Sequence, residues 1–229
     1  KKLVSHLRHL DCDHLILDIG AGSAFNQLDF FLEADHGIVV TTPEPHAIQN
    51  AFYFIKSALL RKMSQEVKDD EDLAQFFKSP KHLKTDKMEK FLDEIEKLDP
   101  LKSQRLQRTV ASFQPRIVLN QVMTNTELKD GLFLTKSLKD FLGIQADYLG
   151  YVYFDSRVRR AAQNLKPLLI DHPKSKAATC IFSIIVYRLL NRRYFQGKVE
   201  EMGLRQKVRG LNYESTYKGY RSGIGIYEA

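Results

Sequence analysis

The sequence predicts an α/β fold, a mostly parallel sheet flanked by helices, with a helical insertion. Three observations predict it. Short apolar runs alternate with helically spaced ones over residues 13–62. A charged, helix-forming stretch interrupts that alternation from about 64 to 114, and the alternation then resumes. Strand and helix following each other through short connections is the pattern of a parallel sheet with crossover helices.

Each element has its own signal. "LILDI" (15–19) is apolar and closed by Gly20, which suits a strand buried on both faces. "FNQLDFFLEA" (25–34) carries Phe25, Leu28, Phe31 and Leu32 at helical spacing. "GIVVTT" (37–42) is β-branched and reads as a second buried strand. Thr42 suits an N-cap and Pro43 the first helical position, so "TPEP" is expected to open a helix. Its stripe is Ile48, Phe52, Ile55 and Leu59.

Within the insertion, Met88, Phe91, Leu92, Ile95 and Leu98 fall on one helical face, and "KSP" and "LDP" mark turns. "RIVLNQV" (116–122) is read as a strand, residues 127–143 as a helix stopped by Gly143, and "DYLGYVYF" (147–154) as a further strand. "SRVRRAAQ" is a short helical turn, "PLLI" a short last strand, and "KAATCIFSIIVYRLLNRRYF" a long helix. Its "FSIIVY" is apolar around most of the helix, as in helices that complete a core. From Gly197 the chain is basic and lacks apolar periodicity, so 197–229 reads as a loosely structured tail.

Bulk composition narrows the function classes. With 229 residues, 43% of them hydrophobic, the chain can bury one sizeable core, and 1–229 is read as a single α/β domain. It has no run of 18 apolar residues and no signal-peptide core. Two cysteines, Cys12 and Cys180, form no metal or disulfide framework, which suits a reducing cytoplasmic setting. From Lys174 onward, eleven Lys/Arg face four Asp/Glu, an excess that equals the net charge of +7 for the whole chain. Such a patch could meet anionic lipid or nucleic acid, or simply be solvated. His6, His9, Cys12 and His14 fit no standard zinc spacing, and Cys180 on its apolar helix reads as a core residue.

The stretch "DHLILDIGAG" (13–22) puts an acid at the end of an apolar run and follows it with a small-residue loop. A carboxylate can hold a hydrated cation, and backbone amides freed of side chains can approach an anion. In order, "LILDIGAG", "ADHGIVVTTPEPHAIQNAFYFIK", "RIVLNQV" and "YLGYVYFDSRVRRAAQNLKPLLIDHPKSKAA" resemble the MinD/ParA family of deviant P-loop ATPases. The likeness is greatest to the MinD branch that includes flagellar-number regulators of the FlhG/FleN type. It covers roughly residues 13–62 and 115–190.

The resemblance implies roles. Asp18 falls at the Walker B acid, which holds a water on Mg²⁺, and Gly20, Ala21 and Gly22 fall on the switch loop that senses the γ-phosphate of ATP. Asn120 matches the residue that recognises adenine, and Asp155 and Val158 the loop closing over the base. The stretch Pro43, Glu44 and Pro45 and the helix after it would support a dimer or partner face. ATP binding would drive a homodimer that engages a protein partner or an anionic inner-membrane surface, and hydrolysis would reset it. Such a switch would regulate the position of a flagellum, division site or similar structure.

Three departures stand against this likeness, one being that the helical insertion of about fifty residues is longer than in typical MinD relatives. Tyr153 stands where the family has proline, and no G-x-x-x-x-G-K-[ST] loop occurs in these 229 residues. The chain is therefore expected to be the C-terminal part of a longer protein, with ATPase activity only when the upstream loop is present. Two alternatives are a non-catalytic scaffold of the same fold and a ParA-like, DNA-partitioning ATPase.

Overall fold

The computed structural model describes residues 6–7, 9–20, 22–77 and 87–190. Its strands are β1 (Ile38–Thr41), β2 (Arg116–Val122) and β3 (Asp147–Tyr153), forming a parallel sheet in the order β1-β2-β3 flanked by helices. The α/β class is as the sequence predicts. By contact density the chain divides into two compact units, one of residues Lys1–Val118 with Lys129–Tyr148, the other of Leu119–Leu128 with Leu149–Ala229.

In the first unit, α1 (Phe25–Glu33) buries Leu28 and Phe31 and packs on α2 (Pro45–Glu66). The rings of Phe31 and Phe54 meet edge to face at 5.0 Å. Gly37 is needed beside them, because a Cβ there would lie 2.7 Å from the Phe31 ring. Asp29 of α1 takes both Nε (2.9 Å) and Nη2 (3.0 Å) of Arg61, and Gln65 adds a third hydrogen bond to the same carboxylate. Arg61 also lies over the ring of Phe25, 4.9 Å from its centroid. That contact gives Phe25 a place although it is 70% exposed.

The helix after β1 starts later than the sequence suggests. Pro45, not Pro43, takes the first helical position, and Glu44, not Thr42, is the N-cap residue. Proline's fixed φ and missing N–H suit either site, so the two prolines compete, and the later one wins. Phe52 lies half-buried against Tyr53 and Phe141, while Ala51, Ala58 and Met63 join Ile48, Ile55 and Leu59 on the buried stripe.

The stretch read as an insertion is helical where it is described, with α3 (Glu71–Phe76), α4 (Met88–Leu98) and α5 (Pro100–Ser112). α4 buries Met88, Phe91 and Ile95 against its neighbours, while Leu98 is exposed. Asp99 stops α4 and caps α5: its side chain accepts from the Lys102 amide at 3.0 Å, with Pro100 at the first position. The hairpin is tied to α2 by Arg105 and Glu66 (2.8 Å), and Lys102 bridges Asp70 and Asp99. The "KSP" turn lies outside the described residues. α6 (Leu128–Leu142) ends at Gly143, whose φ of +69° lets its amide close on Lys139 O at 3.0 Å.

In the second unit, α7 (Ser156–Gln163) follows β3. "PLLI" is not a strand: Leu168–Asp171 forms one helical turn, α8, after Pro167. Proline sets that start, and Leu169 and Ile170 remain exposed. The expected long helix is α9 (Lys176–Ser183), which passes into a π-helical turn at Ile184–Leu189. The 197–229 tail lies outside the described residues. No described helix is long and apolar enough to cross a membrane.

Candidate functional site

The largest correction falls on the first candidate. Residues 15–19 form no strand, and Leu15 and Ile16 are 46% and 89% exposed. An apolar run becomes a buried strand only when neighbours on both sides take its backbone groups. None of the described strands pairs with it.

Its end is nonetheless shaped. Asp18 is exposed, and one of its carboxylate oxygens accepts the Gly20 amide at 3.4 Å. This leaves its other oxygen available for a hydrated cation. Gly20 (φ +64°) and Gly22 (φ +122°) both occupy backbone conformations that L-residues with side chains rarely adopt. Gln27 clamps the loop: its Nε2 donates to Ile19 O at 3.2 Å, and its Oε1 accepts from the Ala24 amide at 3.0 Å. A Cβ on Gly22 would lie 2.9 Å from that Oε1, so the clamp itself demands glycine. Ala21 lies outside the described residues. The residues present thus offer one open carboxylate and two glycines, a donor set suited to a cation that keeps its waters beside an anion.

The "TTPEP" stretch forms the mouth of α2. Glu44 O accepts from the Ala47 and Ile48 amides, and Glu44 and Pro45 are exposed while Pro43 is half-buried. An open groove of about 610 Å³ runs beside this stretch, lined by Ile19, Gly20, Gly22, β1 and α2.

The other candidates, Asn120 and Asp155, belong to the second unit. Asn120 Oδ1 accepts from the amide of Gln121 at 2.9 Å, and Gln121 has a φ of +59°. This local bond occupies one carbonyl lone pair and leaves a second acceptor site and the amide donors. After β2, Glu127 organises the turn by accepting from the Met123 amide (2.8 Å) and the Thr124 hydroxyl (3.0 Å). The Met123 bond leads in holding the Glu127 carboxyl below its usual range.

Asp155 is tightly held, its side chain 5% exposed. It accepts from Arg157 N (3.0 Å) and Nε (2.8 Å) and from the Ala177 amide at the start of α9 (3.4 Å). Chiefly through the Arg157 side chain, its carboxyl is lowered to about 2. Two helix starts thereby share one carboxylate. Val158 is 43% exposed one turn away. Tyr153 donates to Asn125 Oδ1 at 3.4 Å, stacks edge-on with Tyr151 at 5.1 Å, and has Lys176 Nζ 5.9 Å from its ring centre. The Cys180 thiol is pushed up by burial, in keeping with a packing role.

Among the described residues no group of three or more His, Cys, Asp and Glu is placed to hold a metal ion, His6, His9, Cys12 and His14 included. Sequence reasoning missed the Gln27 clamp and the Asp29–Arg61 pair. Gln27 carried a signal, since a glutamine three residues into a helix is a capping pattern. Asp29 and Arg61 stand 32 residues apart and carried none. No protein-family model matches the chain, and no curated protein matches it.

Proposed function

We propose that this chain is part of a nucleotide switch of the MinD type, binding ATP with Mg²⁺ and acting as an ATP-dependent homodimer. The observation that carries this reading is the Asp18 loop: an exposed carboxylate followed by two glycines at positive φ, with Gln27 bonded to the backbone on either side of the glycines. In the reading, Asp18 orients a water on the cation, and the Gly20 and Gly22 stretch brings backbone N–H groups to a terminal phosphate. Magnesium supplies charge neutralisation at the phosphates when bound. Asn120 presents donor and acceptor to a base edge, and the Asp155 turn, stiffened by Arg157, closes beside it. Exposed Glu44 and Pro45 provide the dimer or partner face.

The phosphate-cradling loop that this chemistry needs is proposed to lie upstream of Lys1. A scaffold without turnover is the second reading, favoured by the lack of G-x-x-x-x-G-K-[ST] in these residues. Contact of the basic tail with anionic membrane, or with DNA in a ParA-like partition system, would then supply the location.

The experiment is ATP turnover by the product that the native cell makes, with its intact mass and N-terminal peptide determined alongside. Asp18→Ala is expected to abolish turnover with the fold retained by circular dichroism. Unchanged turnover removes Asp18 from the mechanism, and a product that starts at Lys1 favours the scaffold.

A further inference from the structure

The turn that joins α7 to α8 carries a leucine where the backbone favours glycine. α7 ends in a Schellman closure: the Leu165 amide donates to Ala162 O at 3.0 Å and the Lys166 amide to Ala161 O at 2.9 Å. Leu165 follows the cap with a φ of +54°, a conformation in which a side chain is strained. That side chain is 92% exposed, so it adds nothing to the core that would offset the strain. Leu169 and Ile170 of α8 are exposed as well, Ile170 at 62%. α8 packs back on α7, and Lys166 bridges Asp171 at 3.7 Å. Leu165 and Ile170 each adjoin one member of that pair, which holds them on the same turn.

The charge around these aliphatic side chains is of one sign. Residues 156–176 hold six Lys/Arg and one Asp, and that Asp is the one Lys166 bridges. Arg157 is held by Asp155, whereas Arg159, Arg160 and Lys174 are exposed and have no acidic partner among the described residues. We propose that this turn docks on an anionic lipid bilayer. Leu165, Leu169 and Ile170 enter the headgroup layer, and Arg159, Arg160 and Lys174 meet the lipid phosphates. Nucleic acid offers nothing to three aliphatic side chains. Protein hot spots favour Trp, Tyr and Arg and use leucine sparingly. A bilayer, by contrast, takes up protruding aliphatic groups without a matching pocket. The surface lies wholly within the second unit, needs no nucleotide and is separate from the basic tail.

The test is co-sedimentation of the full 229-residue chain, without nucleotide, with two kinds of vesicle. One is phosphatidylcholine alone, the other phosphatidylcholine with phosphatidylglycerol. Retention is expected on the second kind only, and it should weaken as salt rises. Leu165→Gly removes the aliphatic group and suits the backbone, so the melting temperature should hold or rise while lipid affinity falls about tenfold. Arg159→Ala combined with Arg160→Ala should lower affinity by about the same factor. The tail is present in every variant, so affinity unchanged by both changes assigns the binding to the tail and overturns the proposal. Equal retention on both kinds of vesicle overturns it too. Retention on neither does the same, and an acidic protein surface is then the partner to seek. Because no nucleotide is present, failure of the ATP switch and failure of lipid docking are separate results.

Discussion

Asp155 and Arg157 form a closed local ring: one carboxylate oxygen takes both the backbone amide and the Nε of the residue two positions on, at 3.0 and 2.8 Å. The same carboxylate reaches the first turn of α9 through Ala177. A single side chain thus fixes two helix starts within the second unit. This has a consequence in pH. The carboxyl is lowered from 3.8 to about 2, so its stabilisation is complete above 3.8 and is lost as pH falls through about 2. Urea midpoints measured from pH 5 to pH 2 should decline for the native residue, and Asp155→Asn should flatten that decline. At neutral pH, Asp155→Ala is expected to cost about 1 kcal/mol or more through the lost cap. Superimposable pH profiles for the two proteins would remove Asp155 from this role.

The glycine loop separates two substitutions that look alike in sequence. Gly22→Ala combines a φ of +122° with a Cβ 2.9 Å from Gln27 Oε1, so it breaks the clamp. Gly20→Ala has a φ of +64° and meets nothing within 4 Å. The first is expected to cost about 2–3 kcal/mol and the second about 1 kcal/mol. Chemical denaturation of both variants checks the order, and Gly22→Ala no costlier than Gly20→Ala would refute the clamp.

The α1–α2 contact rests on a paired charge at half-buried depth. Asp29 and Arg61 side chains are 31% and 30% exposed. Asp29→Asn keeps the shape and removes the charge, and about 1 kcal/mol is expected to be lost. The loss should shrink at high salt. A salt-independent effect would assign it to packing instead.

The two cysteines should react at different rates. Cys12 is exposed, whereas burial raises the Cys180 thiol and keeps less of it as thiolate. Iodoacetamide at pH 8, followed by mass spectrometry of the peptides, is expected to label Cys12 at least tenfold faster. Equal labelling would mean that Cys180 is not packed as described.

What the sequence made legible follows from how local each signal is. β2, β3 and α6 appear within a residue or so of their expected bounds, since apolar runs and the Gly143 stop are short-range features. "LILDI" reads equally well as a strand, but strand formation depends on neighbours that its own residues do not encode. "PLLI" fails for the same reason, and Pro167 then favours a helical turn. The positive φ of Gly20 and Gly22 was legible from residue type, while the clamp by Gln27 depends on a side chain folding back over the loop. The Asp155 ring was half legible: an Asp before a helix suggests a cap, but its bond to Ala177, 22 residues away, does not show in the sequence.

The proposed nucleotide switch is tested most directly by sedimentation velocity of the native cellular product with Mg²⁺ and ATP, with Mg²⁺ and ADP, and with neither. The account predicts a dimer with ATP, a monomer in the other two, and loss of the ATP effect in Asp18→Ala. A sedimentation coefficient unchanged by either nucleotide, in a product that carries its upstream residues, would contradict it.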